Sequence, residues 1–359
     1  MSAKVYFIPL KDNPTIEEQV QAMARIFDAS DAASVISKRD FVAIKTHIGE
    51  ERNTTHIKPP LIRQLVEKVN QLGGQPFLTE TSTLYKSKRE NAIKHIMLAQ
   101  EHGFGIENVG APFIMADGLA GNNEYEVTID GELNKTVKIA REVITSDALL
   151  VVSHPTGHML TGIGAAMKNL GMGFASRAGK MRQHSSIKPQ VKASCTSCLK
   201  CQKWCPTDAI TEQNKKVSID AEKCIGCGDC LAVCKFNAIK YDFEQDAELV
   251  QRNMAEYAWG SVKDKAGKVF YFNVLVDMTK DCDCMTGPQP KIIGDVGILA
   301  SNDPVAIDIA TLDITTKAKN ADGKTLGEIS YSEHDATIQL KHAAKLGMGS
   351  LKYELIEIK

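Results

Sequence analysis

The sequence predicts an α/β fold, in which helices cover both faces of a mostly parallel sheet and a small α+β segment interrupts the pattern once. Short apolar strands alternate with amphipathic helices along most of the 359 residues, and such alternation is typical of a parallel sheet. Eight of the ten cysteines lie between positions 195 and 234. This segment is an internal repeat, because a shift of 29 positions carries its first four cysteines onto the next four.

Strands and helices alternate in the N-terminal half. A capping box at Thr15 to Glu18 predicts the start of the first helix. Pro59 and Pro60 open a second helix, which Gly73 ends. A third helix is expected from about Arg89 to His102, followed later by a hairpin turned at Asp130-Gly131. The predicted strands cover residues 5–10, 41–45, 76–79, 113–116 and 148–153.

The same alternation resumes after the cysteine segment. Strands are predicted at residues 269–276, 296–300 and 353–358. Asp303 and Pro304 have the residue types of an N-cap and a first helical position. A last helix is expected to run through His342 and to end at Gly347.

The overall charge and the termini exclude several classes of protein. Lys and Arg total 43 against 44 Asp and Glu, so no excess charge favours nucleic acid or an anionic membrane. No apolar run approaches the ~20 residues of a spanning helix, and the N-terminus lacks the features of a signal peptide. We therefore expect a soluble cytoplasmic protein. Long chain length and clustered cysteines also argue against a secreted disulfide framework.

The spacing of the eight clustered cysteines predicts two [4Fe-4S] clusters. Each run has the form Cys-x2-Cys-x2-Cys-x3-Cys of bacterial two-cluster ferredoxins, in which the fourth cysteine binds the other cluster. Zinc is the alternative, but it takes four tetrahedral ligands per ion and fits two runs of three plus one poorly. The crossed scheme assigns Cys195, Cys198, Cys201 and Cys234 to one cluster, and Cys224, Cys227, Cys230 and Cys205 to the other.

These patterns predict two domains. Residues 1–185 and 244–359 would form one discontinuous α/β domain. Residues 186–243 would form an inserted ferredoxin-like domain with two clusters, built from a duplicated half.

Polar residues follow directly on several predicted strands. Ligands of open α/β sheets bind beyond the carboxyl ends of the strands, so we expect these side chains to gather along one rim. Glycines after His158 predict a helix start with free N–H groups that suit a carboxylate or phosphate, and three basic residues follow it. The rim residues are Lys45, Thr46, His47, Glu80, Thr81, Asp117, His154 and Asp277, and the basic residues are Arg177, Lys180 and Arg182.

Cys282 and Cys284 lie apart from the other cysteines. They could bind a further metal, alone or with His154 and His158, form a redox-active disulfide, or be unreactive thiols. His56, His95 and His102 receive no functional role, because a single histidine is more often structural.

Several motifs resemble those of a known family. They lie at residues 45–47, 77–85, 114–118, 153–158, 167–173, 281–284 and 297–306. They resemble the family catalogued as domain of unknown function 362, whose members are often described as uncharacterised iron-sulfur centre proteins. The resemblance covers nearly the whole chain and implies the ferredoxin insertion without a settled reaction.

Two regions also resemble lactate racemase and its relatives. They are the loop after the strand at 41–45 and the stretch 154–168 with Gly162-x-Gly164. The resemblance implies acid/base histidines at His47 and His158 and a cofactor-anchoring lysine at Lys168.

Three interpretations follow. The clusters relay electrons to a pocket that holds a small anionic metabolite or a metal, with an electron donor or acceptor protein as partner. Alternatively, the chain is a binding or maturation protein with structural or sensory clusters. In the third interpretation, the rim abstracts a proton beside a carboxylate and the clusters are accessory.

Overall fold

The computed structural model describes residues 2–184, 189–241 and 246–359. In the first range the strands are β1 Ala3–Pro9, β2 Phe41–Lys45, β3 Gln75–Glu80, β4 Phe113–Met115, β5 Glu124–Thr128, β6 Thr136–Ala140, β7 Ala148–Ser153, β8 Thr156–His158 and β9 Gly162–Gly164. The helices there are α1 Ile16–Ala29, α2 Pro59–Gln71, α3 Ala92–Glu101, α4 Ile106–Val109, α5 Arg141–Thr145, α6 Ala166–Gly171 and α7 Arg177–Gln183, with a 3-10 helix at Asp31–Val35.

The cysteine segment and the C-terminal part contribute the remaining elements. The cysteine segment contains β10 Gln190–Val191, α8 Lys200–Lys203, β11 Ile210–Gln213, β12 Lys216–Ile219, α9 Asp229–Val233 and β13 Ile239–Lys240. The C-terminal part contains α10 Ala247–Val262, β14 Val269–Leu275, β15 Gly297–Ser301, α11 Pro304–Thr315, α12 Leu326–Ile329, α13 Ile338–Lys345 and β16 Tyr353–Glu357.

One large sheet organises the α/β part. It has eight strands in the order β16-β1-β15-β14-β7-β2-β3-β4. β15 is antiparallel to both of its neighbours, and every other pair is parallel. The predicted mostly parallel α/β fold is therefore confirmed.

The central strand β7 shows why both faces of the sheet are covered. All six of its residues are buried. Leu149 and Val151 pack with α6, α10 and α11, whereas Leu150 and Val152 pack on the other face with α1 and α2. Successive side chains of a strand point to opposite faces, so a continuous apolar run needs helices on both sides.

The predicted helix caps form as expected. The Thr15 hydroxyl accepts from the N–H of Glu18 at 3.2 Å, and the Glu18 carboxylate accepts from the N–H of Thr15 at 2.7 Å. Asp303 caps α11 by accepting from the N–H groups of Val305 and Ala306. Such reciprocal bonds satisfy donors that would otherwise have no partner in the helix.

The helix predicted from Arg89 begins later, at Ala92. Asn91 is its N-cap and accepts from the N–H of Lys94 at 3.1 Å. Arg89 lies in the preceding loop, where its guanidinium pairs with the buried Glu50.

The predicted anion-binding helix start after His158 is wrong. β8 and β9 form a hairpin there, and α6 begins only at Ala166. The N–H groups of Ala166 and Met167 donate to the buried carboxylate of Asp308 at 3.0 and 2.8 Å. A side chain of the protein itself therefore occupies the place that was expected to hold an anionic ligand.

The cysteine segment packs against the α/β part through an apolar cluster. Leu84 and Met181 join Cys201, Cys230 and Leu231 in this cluster.

Both predicted domain boundaries, at 185/186 and 243/244, lie outside the described residues. Among the residues described, no helix combines the length and the apolar character needed to cross a membrane.

Asp308 should be required for stability, because it also accepts from Asn273 Nδ2 at 2.9 Å. Asp308→Ala would leave buried donors without a partner and should lower the free energy of unfolding by roughly 3 kcal/mol. Asp313→Ala, at an exposed position of the same helix, should cost less than about 1 kcal/mol. Urea denaturation of anaerobic protein measures both values, and equal losses would contradict the assigned role.

Candidate functional site

The eight clustered cysteines surround two separate cavities. Apart from the cysteines, each cavity is lined mainly by apolar residues, and all eight thiols are free of disulfides. Each cavity receives three cysteines from one run and the fourth from the other. The first is lined by Cys195, Cys198, Cys201 and Cys234, and the second by Cys205, Cys224, Cys227 and Cys230.

The two halves of the repeat share an unusual backbone conformation, with positive φ angles at equivalent positions. Three pairs of residues related by the shift of 29 positions have positive φ angles, between 50° and 75°. A left-handed conformation is costly for residues other than glycine, and such strain concentrates at functional sites. The same loop shape therefore wraps both cavities. The pairs are Ser197 and Gly226, Leu199 and Gly228, and Asp208 and Asn237.

Backbone donors point at the fourth cysteine of each run. The N–H of Ala209 lies 3.3 Å from Cys205 Sγ, and the N–H of Ala238 lies 3.2 Å from Cys234 Sγ. N–H donors to cluster sulfurs tune the potential of iron-sulfur centres. Four sulfurs around an apolar cavity, with backbone donors behind them, fit an iron-sulfur cluster.

A third cavity, larger than the two cysteine cavities, lies at the carboxyl ends of β2, β3 and β7. It has a volume of about 200 Å³, which is below the ~300–1,000 Å³ of pockets for drug-sized ligands and suits a small metabolite. Four basic side chains line it against two carboxylates. The basic residues are Lys45, Arg89, Lys168 and Lys180, and the acids are Glu80 and Asp283. We refer to this cavity as the rim pocket.

Glu80 is the central acid of the rim pocket. It is only 3% exposed and contacts Lys45 Nζ at 3.2 Å, the N–H of Ile48 at 3.3 Å and His95 Nε2 at 3.1 Å. Burial would raise the pKa of Glu80, but Lys45 and the other basic neighbours hold it well below its usual range. The contact with His95 is one of those that hold the Glu80 carboxylate in place.

Arg89 forms a second buried network. Its Nε donates to Glu50 at 3.1 Å, its Nη2 donates to the Tyr85 hydroxyl at 2.7 Å, and its Nη1 lies 2.9 Å from His47 Nε2. The N–H of Gly49 points at the other ring nitrogen of His47. Burial and the Arg89 charge hold the pKa of His47 well below its usual value. Both effects favour the neutral form of His47.

His154 has no free nitrogen. Its Nδ1 lies 2.7 Å from Asp283 Oδ2, and its Nε2 lies 2.7 Å from the carbonyl oxygen of Val276. Although burial disfavours its charge, Asp283 raises the pKa of His154. Both atoms through which His154 could bind an extra metal are engaged in these contacts, and the sequence-based hypothesis of a metal site with His154 stays a prediction.

Cys282 and Cys284 are joined in a disulfide at the rim pocket. A ring nitrogen of His158 and both sulfurs lie within 4.8 Å of one another. The β8–β9 hairpin can approach because residue 157 is glycine: its N–H donates to the carbonyl oxygen of Thr279 at 3.0 Å, and a Cβ there would lie 2.0 Å from the carbonyl oxygen of Lys280. Of the alternatives weighed from the sequence, this geometry matches the disulfide.

Two lysines of the rim pocket have pKa values far below that of an ordinary lysine. Burial lowers the pKa of Lys168 to about 7, with Asp283 opposing the shift and Arg89 and Lys45 adding to it. Burial also lowers the pKa of Lys180 to about 7. Each ammonium group therefore gains or loses its proton near physiological pH.

Most of the chain matches one protein family. The family model described as Domain of unknown function (DUF362) matches residues 42–313. This chain belongs to that family. The match includes the cysteine segment and all of the residues that line the rim pocket.

Shorter matches concern iron-sulfur proteins. The chain is 41% identical over 54 residues to a component of the ion-translocating oxidoreductase complex of Methanosarcina acetivorans, and the match covers 15% of the chain and 20% of that component. It is 38% identical over 56 residues to a ferredoxin of Alicyclobacillus acidocaldarius, covering 15% of the chain and 72% of the ferredoxin. Pyruvate synthase subunit PorD of Methanothermobacter marburgensis is 32% identical over 84 residues, 23% of the chain and 96% of PorD. This DUF362 member thus carries an iron-sulfur electron-transfer module of the ferredoxin type.

Two of the solved structures that match the chain illustrate how distant this similarity is. Lactate racemase apoprotein from Thermoanaerobacterium thermosaccharolyticum has a TM-score of 0.38 and 12% identity, covering 76% of this chain and 50% of the other. A structural-genomics protein from Thermotoga maritima has a TM-score of 0.39 and 12% identity, covering 74% of this chain and 52% of the other. The chain thus spans about half the length of these two proteins.

The rim pocket brings together most of the predicted rim residues, but two acids are absent from its lining. Asp117 is buried elsewhere and accepts from the N–H of Ser82 at 2.7 Å. Asp277 pairs with Lys58 at 3.5 Å outside the pocket. Thr46 is also buried without lining the pocket. The predicted residues His47, His154, His158 and Lys168 all line it.

The sequence reasoning missed several residues of the pocket. From the sequence, Arg89 is expected to begin a helix, and Asp283 lies only within the family motif at residues 281–284. Tyr85 was quoted only as part of a family motif. No local pattern marks these roles, because each depends on a contact with a distant part of the chain.

Lys168 should titrate far below an ordinary lysine. Reductive methylation with ¹³C-formaldehyde followed by NMR should give a pKa near 7 for the Lys168 resonance, so its charge is present below that pH and lost above it. Lys168→Met assigns the resonance by its disappearance. A value for Lys168 in the ordinary lysine range near 10.4 would contradict the desolvation of its ammonium group.

Proposed function

We propose that the protein is an iron-sulfur redox protein with two [4Fe-4S] clusters, which relay electrons to the rim pocket. The observation that carries the proposal is that four cysteines line each of the two cysteine cavities, three from one run and one from the other. Four cysteine ligands suit a [4Fe-4S] cluster, and the crossed sharing is that of two-cluster ferredoxins. The first cluster takes Cys195, Cys198, Cys201 and Cys234, and the second takes Cys205, Cys224, Cys227 and Cys230.

The proposal includes the domain organisation and the cellular setting. The cluster module corresponds to residues 186–243, inserted into a discontinuous α/β domain of residues 1–185 and 244–359. Its electrons come from, or pass to, a redox partner protein. We propose the cytoplasm as its location, since thiolates persist where thiols are kept reduced.

The charge of the rim pocket supports an anionic substrate. Its two carboxylates are already engaged, Glu80 with Lys45 and Asp283 with His154. Lys168 forms no such ion pair among the described residues, and it lines the pocket beside His158. A small carboxylate or phosphate would supply the missing counter-charge.

A second candidate function is proton abstraction beside a carboxylate. The lowered pKa of Lys168, about 7, favours it because an amine that is partly neutral at physiological pH can act as a base. In that case Lys168 and His158 would be the acid/base groups. His47 is less suited, since donors point at both of its ring nitrogens.

The crossed assignment of the cluster ligands can be tested by comparing two double variants that each remove two cysteines. Cys201→Ala/Cys234→Ala removes two ligands from one cluster and should leave about four irons per chain. Cys201→Ala/Cys205→Ala removes one ligand from each cluster and should leave clearly fewer. Iron analysis and the paramagnetic signal of the reduced protein, both measured anaerobically, check the outcome. An uncrossed arrangement predicts the reverse order of the two variants.

Delivery of electrons to the pocket can be tested by reoxidation. The clusters of photoreduced protein should reoxidise faster when the correct small carboxylate or phosphate from a panel is added. Lys168→Met should raise the half-maximal concentration of that anion roughly tenfold or more, because a charge-assisted hydrogen bond is lost. Lys317→Met is the control, since Lys317 is exposed and does not line the pocket.

Failure of every anion to change the reoxidation rate would contradict the proposed relay. Equal effects of Lys168→Met and Lys317→Met would contradict the assignment of the pocket as the anion site.

A further inference from the structure

The Cys282–Cys284 pair is distinct from the eight cluster cysteines. It is the disulfide that the described residues contain, and Cys282 is only 7% exposed. Its surroundings are the rim pocket, with His158 and Lys168 in the same lining. Disulfides are rare in compartments that keep thiols reduced, and those that occur there are usually catalytic or redox-sensing.

Contacts other than the disulfide hold the loop that carries the pair. The side chain of Asp283 accepts from Thr55 at 3.0 Å and pairs with His154. The carbonyl oxygen of Asp283 accepts from the N–H of Glu50 at 2.8 Å, and that of Cys282 accepts from Gln289 Nε2 at 3.2 Å. The two sulfurs should therefore remain neighbours when their bond is broken, which makes its reformation easy.

Two adjacent residues connect this loop to the cluster module. Leu84 packs in the same apolar cluster as Cys201 and Cys230. The hydroxyl of Tyr85 donates to the carbonyl oxygen of Cys284 at 3.3 Å. Leu84 also lines the rim pocket. The covalent step from Leu84 to Tyr85 therefore connects the apolar cluster that contains Cys201 and Cys230 with the loop that carries the disulfide.

We propose that the Cys282–Cys284 disulfide is a redox centre that accepts one electron from each of the two clusters. The inference rests on the proposed function. The S–S bond breaks and two S–H bonds form, while two reduced iron-sulfur clusters each lose one electron. The two protons come from solvent through the pocket side chains His158 and Lys168. The dithiol stores two electrons beside the substrate pocket, so that one-electron carriers can support a two-electron reduction.

A tryptic peptide makes the thiol state measurable. Cleavage after Lys280 and Lys291 releases residues 281–291, which contain no cysteine besides Cys282 and Cys284. Anaerobic protein is photoreduced with deazaflavin, quenched, and alkylated in denaturant with iodoacetamide. Mass spectrometry should find no alkyl group on this peptide before reduction and two alkyl groups after it. The cluster-deficient Cys201→Ala/Cys205→Ala variant should stay unalkylated after photoreduction, yet become alkylated after treatment with dithiothreitol.

Electron counting is the second measurement. Coulometric titration should take about four electrons per chain in the wild type, and about two in Cys282→Ala/Cys284→Ala with the same iron content. A peptide that stays unalkylated while the clusters are fully reduced would overturn the disulfide proposal. The proposal would also be overturned if both cysteines of the peptide were alkylated before reduction and metal analysis found about one zinc per chain. That result would mean that Cys282 and Cys284 bind a metal together with His158.

The two proposals fail in distinguishable ways. If small anions reoxidise the clusters but the peptide stays oxidised, the relay to the rim pocket stands and the disulfide is not part of it. If iron analysis finds no clusters, the reductant is missing and both proposals fall.

Discussion

The desolvated carboxylate of Glu80 is the interaction on which the rim pocket depends. A buried carboxylate is costly unless charged and hydrogen-bonded partners surround it, and Glu80 has Lys45, His95 and the N–H of Ile48. Lys45 in turn donates to Asn169 Oδ1 at 2.7 Å, and Asn169 donates to the carbonyl oxygen of Val152. Strands β2, β3 and β7 are therefore tied together at their carboxyl ends, where functional side chains must hold a fixed geometry.

Features that depend on neighbouring residues could be predicted from the sequence. The capping box at Thr15, the apolar run of β7 and the cysteine repeat are all patterns of spacing, and the structure contains each of them. The role of Asp308 could not be predicted, because it caps a helix some 140 positions away in the chain. The same holds for the two histidines. His154 and His158 are similar in sequence context, but Asp283 binds the former and leaves the latter beside the sulfurs.

The preorganised Cys282 loop explains how one chain can contain both free cluster thiols and a disulfide. A thiol pair whose backbone is held by Asp283 loses little conformational freedom when it oxidises, which favours the disulfide. The eight cluster thiols line the two cysteine cavities, and none of them forms a disulfide. Local geometry, and not only the compartment, therefore decides which cysteines pair.

The two halves of the repeat are not equivalent in their surroundings, and this gives the proposed relay a direction. In the second half Gly228 lies against the α/β part: a Cβ there would be 3.2 Å from Met181 and 3.3 Å from Arg177. The matching position in the first half is Leu199, and nearby Cys198 is exposed, as is Trp204. The absence of a side chain at 228 allows the second cavity to approach the domain that carries the rim pocket. Electrons from a partner protein would then enter at the first cavity, where Cys198 is exposed, and leave through the second, where Gly228 lies against the α/β part.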